Sequence, residues 1–563
     1  MGEQRYEIEK RDITAPQDSK IREDMEKGFE QTMESDVAPV KQEAPPTEHE
    51  LSMFEHTSTR QSTHSQRPRS TVDRMETEVG SPPDEPKSHF LDGKGNLFRA
   101  TFITTACATQ LLSQAGIGMV MIPLHVIGES LGTDDNGQMS WMVASYGLTV
   151  GMLLIMAGRL GDLYGPKRWW IIGISVMIVT NIGTGFCKTP IEFDICRALC
   201  GIGCALSVPN ALAILGRTYP PGFTRNITFA LLGALAPVGF WCGGAIGSIF
   251  GQLVKVGWIF WFTAMFTAIF LGVGILVLPP DEPHPNPSER HFDWLGAALL
   301  ALALGLFNFP WNQAPLVGWQ EPYVYIIFII SILFFVAFFL WEKHIGLGAL
   351  IPIEVLKKDS LLVYLCLWLG WMSFGTYLFY LTFFLHDIRG YTHPLTVTAQ
   401  MFPLVPGGFC AALLVPYLIK KFPGHIIFLF AMFGFMCANL FMATAPVNQV
   451  YWANTFVGML LGMFGPDLSF STGQLIVSNS VDRNLQGIAA GIVSMITNYS
   501  QSIGLGMTGT VESYVRGPGT TYDDLLKGYR AAFYFGTGMA GFAVIVVALF
   551  VRMPRAHKSS DVH

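Results

Sequence analysis

The chain has little charge for its length. Of its 563 residues only 14% are Asp, Glu, Lys or Arg, whereas 50% are hydrophobic, and a typical soluble protein carries about 25% charged residues. A soluble globular protein is therefore not expected. The net charge of −6 and the lack of a basic cluster also argue against a nucleic-acid partner, because binding to phosphates needs a concentrated positive surface.

Sequence patterns of metal, disulfide and nucleotide chemistry are also missing. The nine cysteines lie in or beside apolar stretches and form no CxxC pair, so they are interpreted as small buried hydrophobic residues. The phosphate-loop pattern GxxxxGK[ST] does not occur, which argues against nucleotide hydrolysis. We expect no metal site, no cofactor and no enzymatic activity.

The first 96 residues contain almost no aliphatic stretch. They are rich in Glu, Ser, Thr and Pro, and such a segment cannot bury enough apolar surface to offset its ordering entropy. We expect residues 1–96 to be a disordered tail that stays in the cytosol, because the apolar core of a secretory signal is missing. Phosphorylation of its Ser and Thr residues is an alternative to a purely solvated role.

The rest of the chain consists of long apolar stretches. An α-helix rises 1.5 Å per residue, so about 17 to 25 apolar residues cross a bilayer. The length of the stretches and their Gly, Pro and aromatic content favour helices over barrel strands. The fourteen predicted spans are 100–127, 138–156, 169–186, 193–215, 227–250, 258–278, 294–317, 323–341, 361–385, 397–419, 426–443, 450–476, 488–510 and 531–552. The sequence thus predicts an all-α polytopic protein in the lipid bilayer.

Loop charges predict the orientation, since Lys and Arg near the ends of spans stay on the cytoplasmic side. With the N-terminus inside, 15 basic residues fall at the inner side and 6 at the outer side. The inner ones are Arg159, Lys167, Arg168, Arg217, Arg225, Arg290, Lys343, Lys357, Lys358, Lys420, Lys421, Arg483, Arg552, Arg555 and Lys558, and the outer ones are Lys188, Lys255, Arg389, Arg516, Lys527 and Arg530. Both termini are therefore predicted to be cytosolic.

A specific pattern lies between the second and third spans. It consists of Gly158, Gly161, Asp162, Gly165, Lys167 and Arg168. The glycines are expected to allow a tight reversal, and the acid is expected just ahead of the third helix, whose N-terminal dipole favours a negative charge. This segment closely resembles the signature loop of the major facilitator superfamily, G-x-L-x-D-x-x-G-x-[KR]-[KR]. We call residues 158–168 the signature loop.

Two further matches follow in the family's order. Trp141, Tyr146 and Leu148 are similar to its W-x-x-x-x-Y-x-L pattern in the second span, and the run from Arg197 to Gly203 is similar to R-x-x-x-G-x-G in the fourth. An arginine inside a span costs about 2.5 to 3.5 kcal/mol on insertion scales, so Arg197 is expected to face protein or water. Asp194, one turn earlier, is its expected partner. Two interpretations remain open: Arg197 takes part in the function of the protein, or it forms only a structural pair with Asp194.

The fifth span carries Gly233, Pro237, Gly239, Gly243 and Gly244. Proline frees a backbone carbonyl and the glycines permit close helix contact, so this helix is expected to bend and to slide on a neighbour. The segment loosely resembles the antiporter motif G-x-x-x-G-P-x-x-G-G of the family. Ala replaces the glycine before the proline, and the glycine pair comes six residues after the proline instead of three. Plain helix packing is therefore an equal interpretation.

The span count and the entrance to the seventh span, Phe292 to Gly296, resemble the fourteen-spanner drug:proton antiporter branch of the family. Within it, the chain is most similar to the fungal aminotriazole-resistance, boron-export and low-affinity ammonium transporter group. The resemblance implies two six-helix bundles that rock about a central path. It assigns the first bundle to residues 97–278, two inserted helices to 279–345, the second bundle to 346–554 and a cytosolic tail to 555–563.

Polar residues inside the spans are candidates for the proton or substrate pathway. Asp467 is the only carboxylate well inside a predicted span, and burial favours proton binding by a carboxylate. The competing interpretation is that Pro466 breaks the helix and that Asp467 caps the helical segment that follows. The first span has no acid and offers Gln110, Gln114 and His125 instead. The other candidates are Arg197, Trp371, Asn498 and Gln501, of which the last two could equally join helices.

Taken together, these patterns predict a monomeric plasma-membrane transporter. The resemblance implies export of a small organic compound or inorganic acid in exchange for protons. A low-affinity uniporter or importer of a small solute such as ammonium is the alternative, because only one acid is well placed. A membrane sensor without transport activity is a further alternative from another class.

Overall fold

The computed structural model describes residues 90–91, 93–219, 223–281, 291–482 and 485–551. The expected disordered tail lies outside these residues except for its last few positions, and the expected tail at 555–563 lies outside them entirely. The described part of the chain is helical and contains no β-strand. The predicted all-α class is therefore confirmed.

Sixteen α-helices make up the described residues. They are α1 Asn96–Met121, α2 Leu124–Ser130, α3 Asn136–Tyr164, α4 Pro166–Thr184, α5 Pro190–Thr218, α6 Phe223–Leu253, α7 Gly257–Val277, α8 Trp294–Val317, α9 Pro322–Ile345, α10 Lys358–Phe383, α11 Pro394–Gln400, α12 Leu404–Lys421, α13 Gly424–Ala443, α14 Thr455–Ser480, α15 Gln486–Arg516 and α16 Tyr522–Phe550. A π-helical turn, Phe384–Ile388, continues α10.

Each predicted span coincides with one of these helices or with a pair of them. Within the described residues, ten helical segments are long and apolar enough to cross a membrane, or 11 if the bent pair α1 and α2 is one span. The axis turns by 64° between α1 and α2, beside Pro123. The count of fourteen membrane-crossing spans stays a prediction.

Several helices begin at polar caps, which accept hydrogen bonds from the free amides of the first turn. Asp135 accepts from the amides of Gly137 and Gln138 at 2.8 and 3.0 Å. Capping boxes open α5 at Thr189 and α16 at Thr521. These three helix starts lie at the end of the structure that is remote from the signature loop. We call it the opposite end.

The helices form two groups. We call α1–α7 the first bundle and α10–α16 the second bundle. The bundles meet where α3 packs against α15 and where α6 packs against α11 and α12. The inserted helix α8 contacts both α3 and α15, whereas α9 packs mainly on α8. Large apolar side chains of α9, among them Ile329, Leu333 and Leu340, are exposed, as expected for a helix that faces lipid.

Helices α1 and α6 pack backbone against backbone. Gly239, Gly243 and Gly247 recur every four residues on α6, and a Cβ atom on any of them would collide with the α1 backbone at Leu111, Ala115 or Met119. Small residues permit this close approach in membranes, where packing replaces the hydrophobic effect as the driving force. Gly239, Gly243 and Gly247 therefore have a packing role.

The packing of α6 predicts unequal costs for two glycine substitutions. Gly243→Ala should destabilise the protein by about 1 to 3 kcal/mol, because the new methyl group enters a filled contact. Gly233→Ala is the matched control, since nothing lies within 4 Å of its Cβ position, and it should be neutral or stabilising by about 0.5 to 1 kcal/mol. Thermal unfolding of both purified variants checks this. Equal melting temperatures would contradict the close contact.

Candidate functional site

The signature loop is shorter in the structure than the sequence predicts. Gly158 and Gly161 lie inside α3, which continues to Tyr164, so they do not form the expected reversal. Gly165 alone makes the turn, with a φ of 102° that favours glycine. Pro166 then begins α4 at the position where its missing amide costs nothing. Gly161 instead lies close to the Asn210 side chain of α5.

The placement of Asp162 ahead of the third span's helix is corrected. Asp162 lies in the last turn of α3, where its Oδ1 is 3.0 Å from Nη2 of Arg217. The side chains of this pair are 59% and 48% exposed respectively, so the pair adds little stability. The acid at the start of α4 is Asp281, which accepts hydrogen bonds from the amides of Lys167 and Arg168 at 2.8 and 2.9 Å.

The side chain of Lys167 also joins the start of α4 to the end of α7. Its Nζ donates to the carbonyl oxygens of Ile275 and Leu278, at 2.9 and 2.6 Å. These carbonyls lie at the end of α7, where a positive charge is favourable. The start of α4 and the end of α7 are thus joined by Lys167 and Asp281. The expected role of the basic pair at the membrane face stays a prediction.

Arg197 is fully buried at the centre of the first bundle. Its Nη2 donates to the carbonyl oxygen of Gly116 on α1 at 2.5 Å. Its guanidinium group lies 4.4 Å from the centre of the Tyr146 ring on α3, in a cation–π contact. Tyr146 in turn donates to the carbonyl oxygen of Ser113 at 2.9 Å. Arg197 therefore holds α1, α3 and α5 together.

The expected pair between Asp194 and Arg197 does not form. Asp194 Oδ2 accepts a hydrogen bond from Nε2 of Gln138 at 2.7 Å, while the guanidinium group turns toward Gly116 and Tyr146. Spacing of three residues on a helix permits a pair but does not require one. Nε and Nη1 of Arg197 have no hydrogen-bond partner among the described residues.

Asp467 lies where the two bundles meet. Helix α14 runs without a break through Pro466, so Asp467 is not the cap of a broken helix. Its Oδ2 is 3.6 Å from the Cβ position of Gly408 on α12, and the same position is 2.6 Å from Cγ of Pro237 on α6. The Asp467 side chain is half-buried and forms no hydrogen bond or ion pair with the described residues.

Pro237 thereby connects the antiporter-like segment to the second bundle. On α6, Gly239 and Gly243 pack on the α1 backbone and Gly244 faces the Ile122 side chain. Pro237 packs instead on Gly408 of α12. One helix thus contacts its own bundle through glycines and the other bundle through the proline.

The other predicted pathway residues are dispersed. Trp371 of α10 donates through Nε1 to Ser469 Oγ of α14 at 3.1 Å. Asn498 and Gln501 bond to carbonyls of their own helix, Ser494 and Thr497, so they do not join helices through these bonds. Gln114 is half-buried on α1.

A polar junction that the sequence analysis missed joins α3, α8 and α15. Ser502 donates to the carbonyl oxygen of Ala144 at 2.9 Å. Asn308 Nδ2 donates to Ser502 Oγ at 3.2 Å, and Asn312 Nδ2 donates to the Ser502 carbonyl at 3.3 Å. The spacing of Asn308 and Asn312, one turn apart in an apolar helix, is the signal that could have indicated it.

A second missed cluster closes the opposite end. His125 Nε2 lies 3.4 Å from Oδ1 of Asp387, and His386 Nδ1 lies 2.6 Å from the same oxygen. Tyr529 donates to Asp387 Oδ2 at 2.5 Å. His125 belongs to the first bundle, whereas the other three residues belong to the second. We call these four residues the histidine cluster.

Further bonds between the bundles lie toward the same end. Ser248 of α6 bonds to Thr398 of α11 at 2.7 Å between the two hydroxyls, and Trp241 Nε1 donates to the Thr398 carbonyl at 2.9 Å. Gln252 Oε1 accepts from the Leu395 amide at 3.3 Å. The bundles are thus closed against each other at the opposite end.

Comparison with known proteins identifies the family. Residues 106–505 match the family described as the Major Facilitator Superfamily. The chain belongs to this superfamily. It is therefore a multi-pass membrane transporter of small-molecule substrates, and the resemblance of its signature loop is confirmed. Members of the family are transporters and not enzymes, as expected.

Relatives place this major facilitator protein in the expected fungal group. It is 40% identical to the low affinity ammonium transporter of Saccharomyces cerevisiae over 81% of the chain and 89% of the relative. It is 35% identical to the efflux pump terG of Aspergillus terreus over 82% and 88%. The crystal structure of a peptide transporter of the POT type, at 13% identity, covers 82% of the chain and 94% of that protein with a TM-score of 0.57, which supports the fold alone.

The corrected loop geometry predicts different effects for its two acids. Asp281→Ala should cost about 1 kcal/mol of stability, as for a lost helix cap, and should speed hydrogen exchange at the amides of Lys167 and Arg168. Asp162→Ala is the control and should change stability by less than about 0.5 kcal/mol. Thermal unfolding and hydrogen–deuterium exchange measure both. If Asp162→Ala lowered the stability more than Asp281→Ala does, the helix-terminus role predicted for Asp162 would be supported after all.

Proposed function

We propose that the chain exports a small organic compound or inorganic acid in exchange for protons. The observation that carries this proposal is the position of Asp467, a carboxylate without an ionic partner at the contact between α14, α12 and α6. A lone carboxylate in an apolar bundle is costly when charged, and proton binding removes the cost. The site can therefore load and release a proton as its surroundings change.

Alternating access would supply that change. When the bundles rock, α12 moves against α6, and the contact of Gly408 with Pro237 beside Asp467 must open or close. The carboxylate then exchanges its apolar neighbours for water. The bundles contact each other at the opposite end through Thr398 and the histidine cluster. In this arrangement the proposed central path can open only at the end where the signature loop lies. Proton binding at Asp467 and movement of the bundles are coupled in this way.

Arg197 is the proposed contact for an anionic group. Its Nε and Nη1 are buried donors without partners, whereas its Nη2 is held by Gly116. Each of these two donors can give a charge-assisted hydrogen bond to an oxygen of a carboxylate or another oxyanion. Gln114, on the same helix as Gly116, offers an amide for a further contact. A small acid or its anion fits these donors.

A facilitator of a small solute is the second candidate. The relative with 40% identity is named a low affinity ammonium transporter, and the first predicted span lacks the acid that this antiporter branch commonly has there. A facilitator needs alternating access but no proton site. The name of the other relative, an efflux pump, favours export. A sensor without transport activity has no support from these relatives.

The coupling proposal predicts that Asp467→Asn abolishes uphill flux driven by a pH difference but spares substrate exchange. Exchange requires movement of the bundles and no net proton transfer, and asparagine keeps the shape of the side chain. Purified protein in sealed vesicles, with aminotriazole, boric acid and methylammonium as probes, allows both modes to be measured.

Asp482→Asn is the matched control, because Asp482 is exposed beyond the end of the same helix. It should leave both modes unchanged. Wild-type flux of these probes that proceeds only down the substrate gradient, whatever the pH difference, would favour the facilitator. Loss of both modes in Asp467→Asn with a lower melting temperature would indicate a structural role for the acid.

We also propose that the protein is a monomer in the plasma membrane with both termini cytosolic, so that the signature loop faces the cytosol. In a cysteine-free background, Asn448→Cys should react with an impermeant thiol reagent on intact cells. Lys357→Cys should react only after permeabilisation. Both positions are exposed and lie at different ends of the structure, so the reverse pattern would invert the orientation.

A further inference from the structure

The histidine cluster brings metal-ligating atoms from both bundles to one point. His125 lies on α2 of the first bundle, and His386 and Asp387 lie on the π-helical turn of the second. The two imidazole rings stack at a centroid distance of 3.8 Å with an interplanar angle of 16°. One ligand atom from each residue lies within 4.8 Å of the other two.

The ligand set suits a divalent transition metal. Two imidazoles and one carboxylate form a known type of zinc site with an open fourth position, with zinc about 2.0 to 2.2 Å from each ligand. Ligands at that distance lie about 3.3 to 3.6 Å apart in tetrahedral geometry. The 3.4 Å separation of His125 Nε2 and Asp387 Oδ1 fits this value. The 2.6 Å separation of His386 Nδ1 and Asp387 Oδ1 must widen by less than about one ångström, and one of the two stacked rings must turn so that both nitrogen lone pairs point at the ion.

The surroundings hold the carboxylate in the orientation that binding requires. Tyr529 donates to Asp387 Oδ2 at 2.5 Å, which leaves Oδ1 facing the two imidazoles. Asn136 Nδ2 lies 3.5 Å from the Tyr529 hydroxyl and extends the network to α3. Outer partners of this kind orient metal ligands and raise affinity.

The cluster is also accessible. The side chains of His125, His386 and Asp387 are 20%, 26% and 18% exposed, so an ion can reach them from the opposite end. Phe383 packs on His125 with a ring distance of 4.6 Å and shields one side. A half-shielded site of this kind allows exchange with solvent while it limits the number of water ligands.

We propose that His125, His386 and Asp387 bind a divalent transition metal ion such as Zn²⁺ and that the ion fastens the two bundles together at the opposite end. The bound ion stabilises the closed arrangement, because opening this end separates His125 from the other two ligands. Binding of such a metal therefore opposes the transition that opens the path at this end. This proposal differs from the expectation, drawn from the sequence, that the chain has no metal site.

The test uses full-length protein, purified through a tag without histidine and placed in lipid nanodiscs. Titration with Co²⁺ should give visible d–d absorption at one equivalent, without the near-ultraviolet charge-transfer bands of thiolate ligands. Zn²⁺ should displace the signal. His125→Ala and His386→Ala should each weaken binding at least tenfold, although the two residues belong to different bundles. His393→Ala is the matched control, since His393 is exposed near the same end, and it should bind as wild type.

Two further variants decide the outcome if a histidine variant does not fold. Asp387→Asn keeps the shape and removes the charged ligand, and Tyr529→Phe removes the hydrogen bond to the carboxylate together with the contact to Asn136. Each should weaken binding about 10- to 100-fold. Metal affinity that is unchanged in the folded variants, or a signal with thiolate bands in all of them, would overturn the proposal. Binding that depends on His386 but not on His125 would overturn the link between the bundles.

Discussion

The structure depends on how a charged arginine is held inside an apolar bundle. Arg197 cannot reach water, so its guanidinium group must find partners in the protein. It finds the Gly116 carbonyl on α1 and the face of Tyr146 on α3. These contacts fix three helices at one depth. The glycines of α6 then bring its backbone against α1, so one buried charge and one row of small residues join α1 to α3, α5 and α6.

The contacts that α6 makes with the second bundle have a different character. Within the first bundle, α6 and α1 meet through glycines without room for a side chain, and such a contact moves as a unit. Between bundles, α6 offers Pro237, Trp241 and Ser248, which contact single residues of α11 and α12. Few and separate contacts can be exchanged at low cost. The difference allows α6 to keep its place on α1 while its contacts with α11 and α12 change.

The sequence predicts the helices well, because length and apolar composition are local properties. The span at 294–317 coincides with α8, and the signature loop indicated the family. Side-chain partners depend on distant parts of the chain and could not be found in this way. Asp281, which lies more than 100 residues after Lys167, takes the place predicted for Asp162. His125 and Asp387 are farther apart still, and no local pattern connects them.

The two charged residues of the proposed pathway do not neutralise each other. Arg197 is bound within the first bundle, and Asp467 faces the contact between bundles. A direct ion pair would satisfy both charges and would leave neither free for a proton or an anion. Separate placement keeps Asp467 sensitive to the movement of α12 on α6 and keeps two donors of Arg197 unpaired. In the proposed mechanism, proton binding at Asp467 alters the path of an anion near Arg197, because both sites depend on the same movement of the bundles.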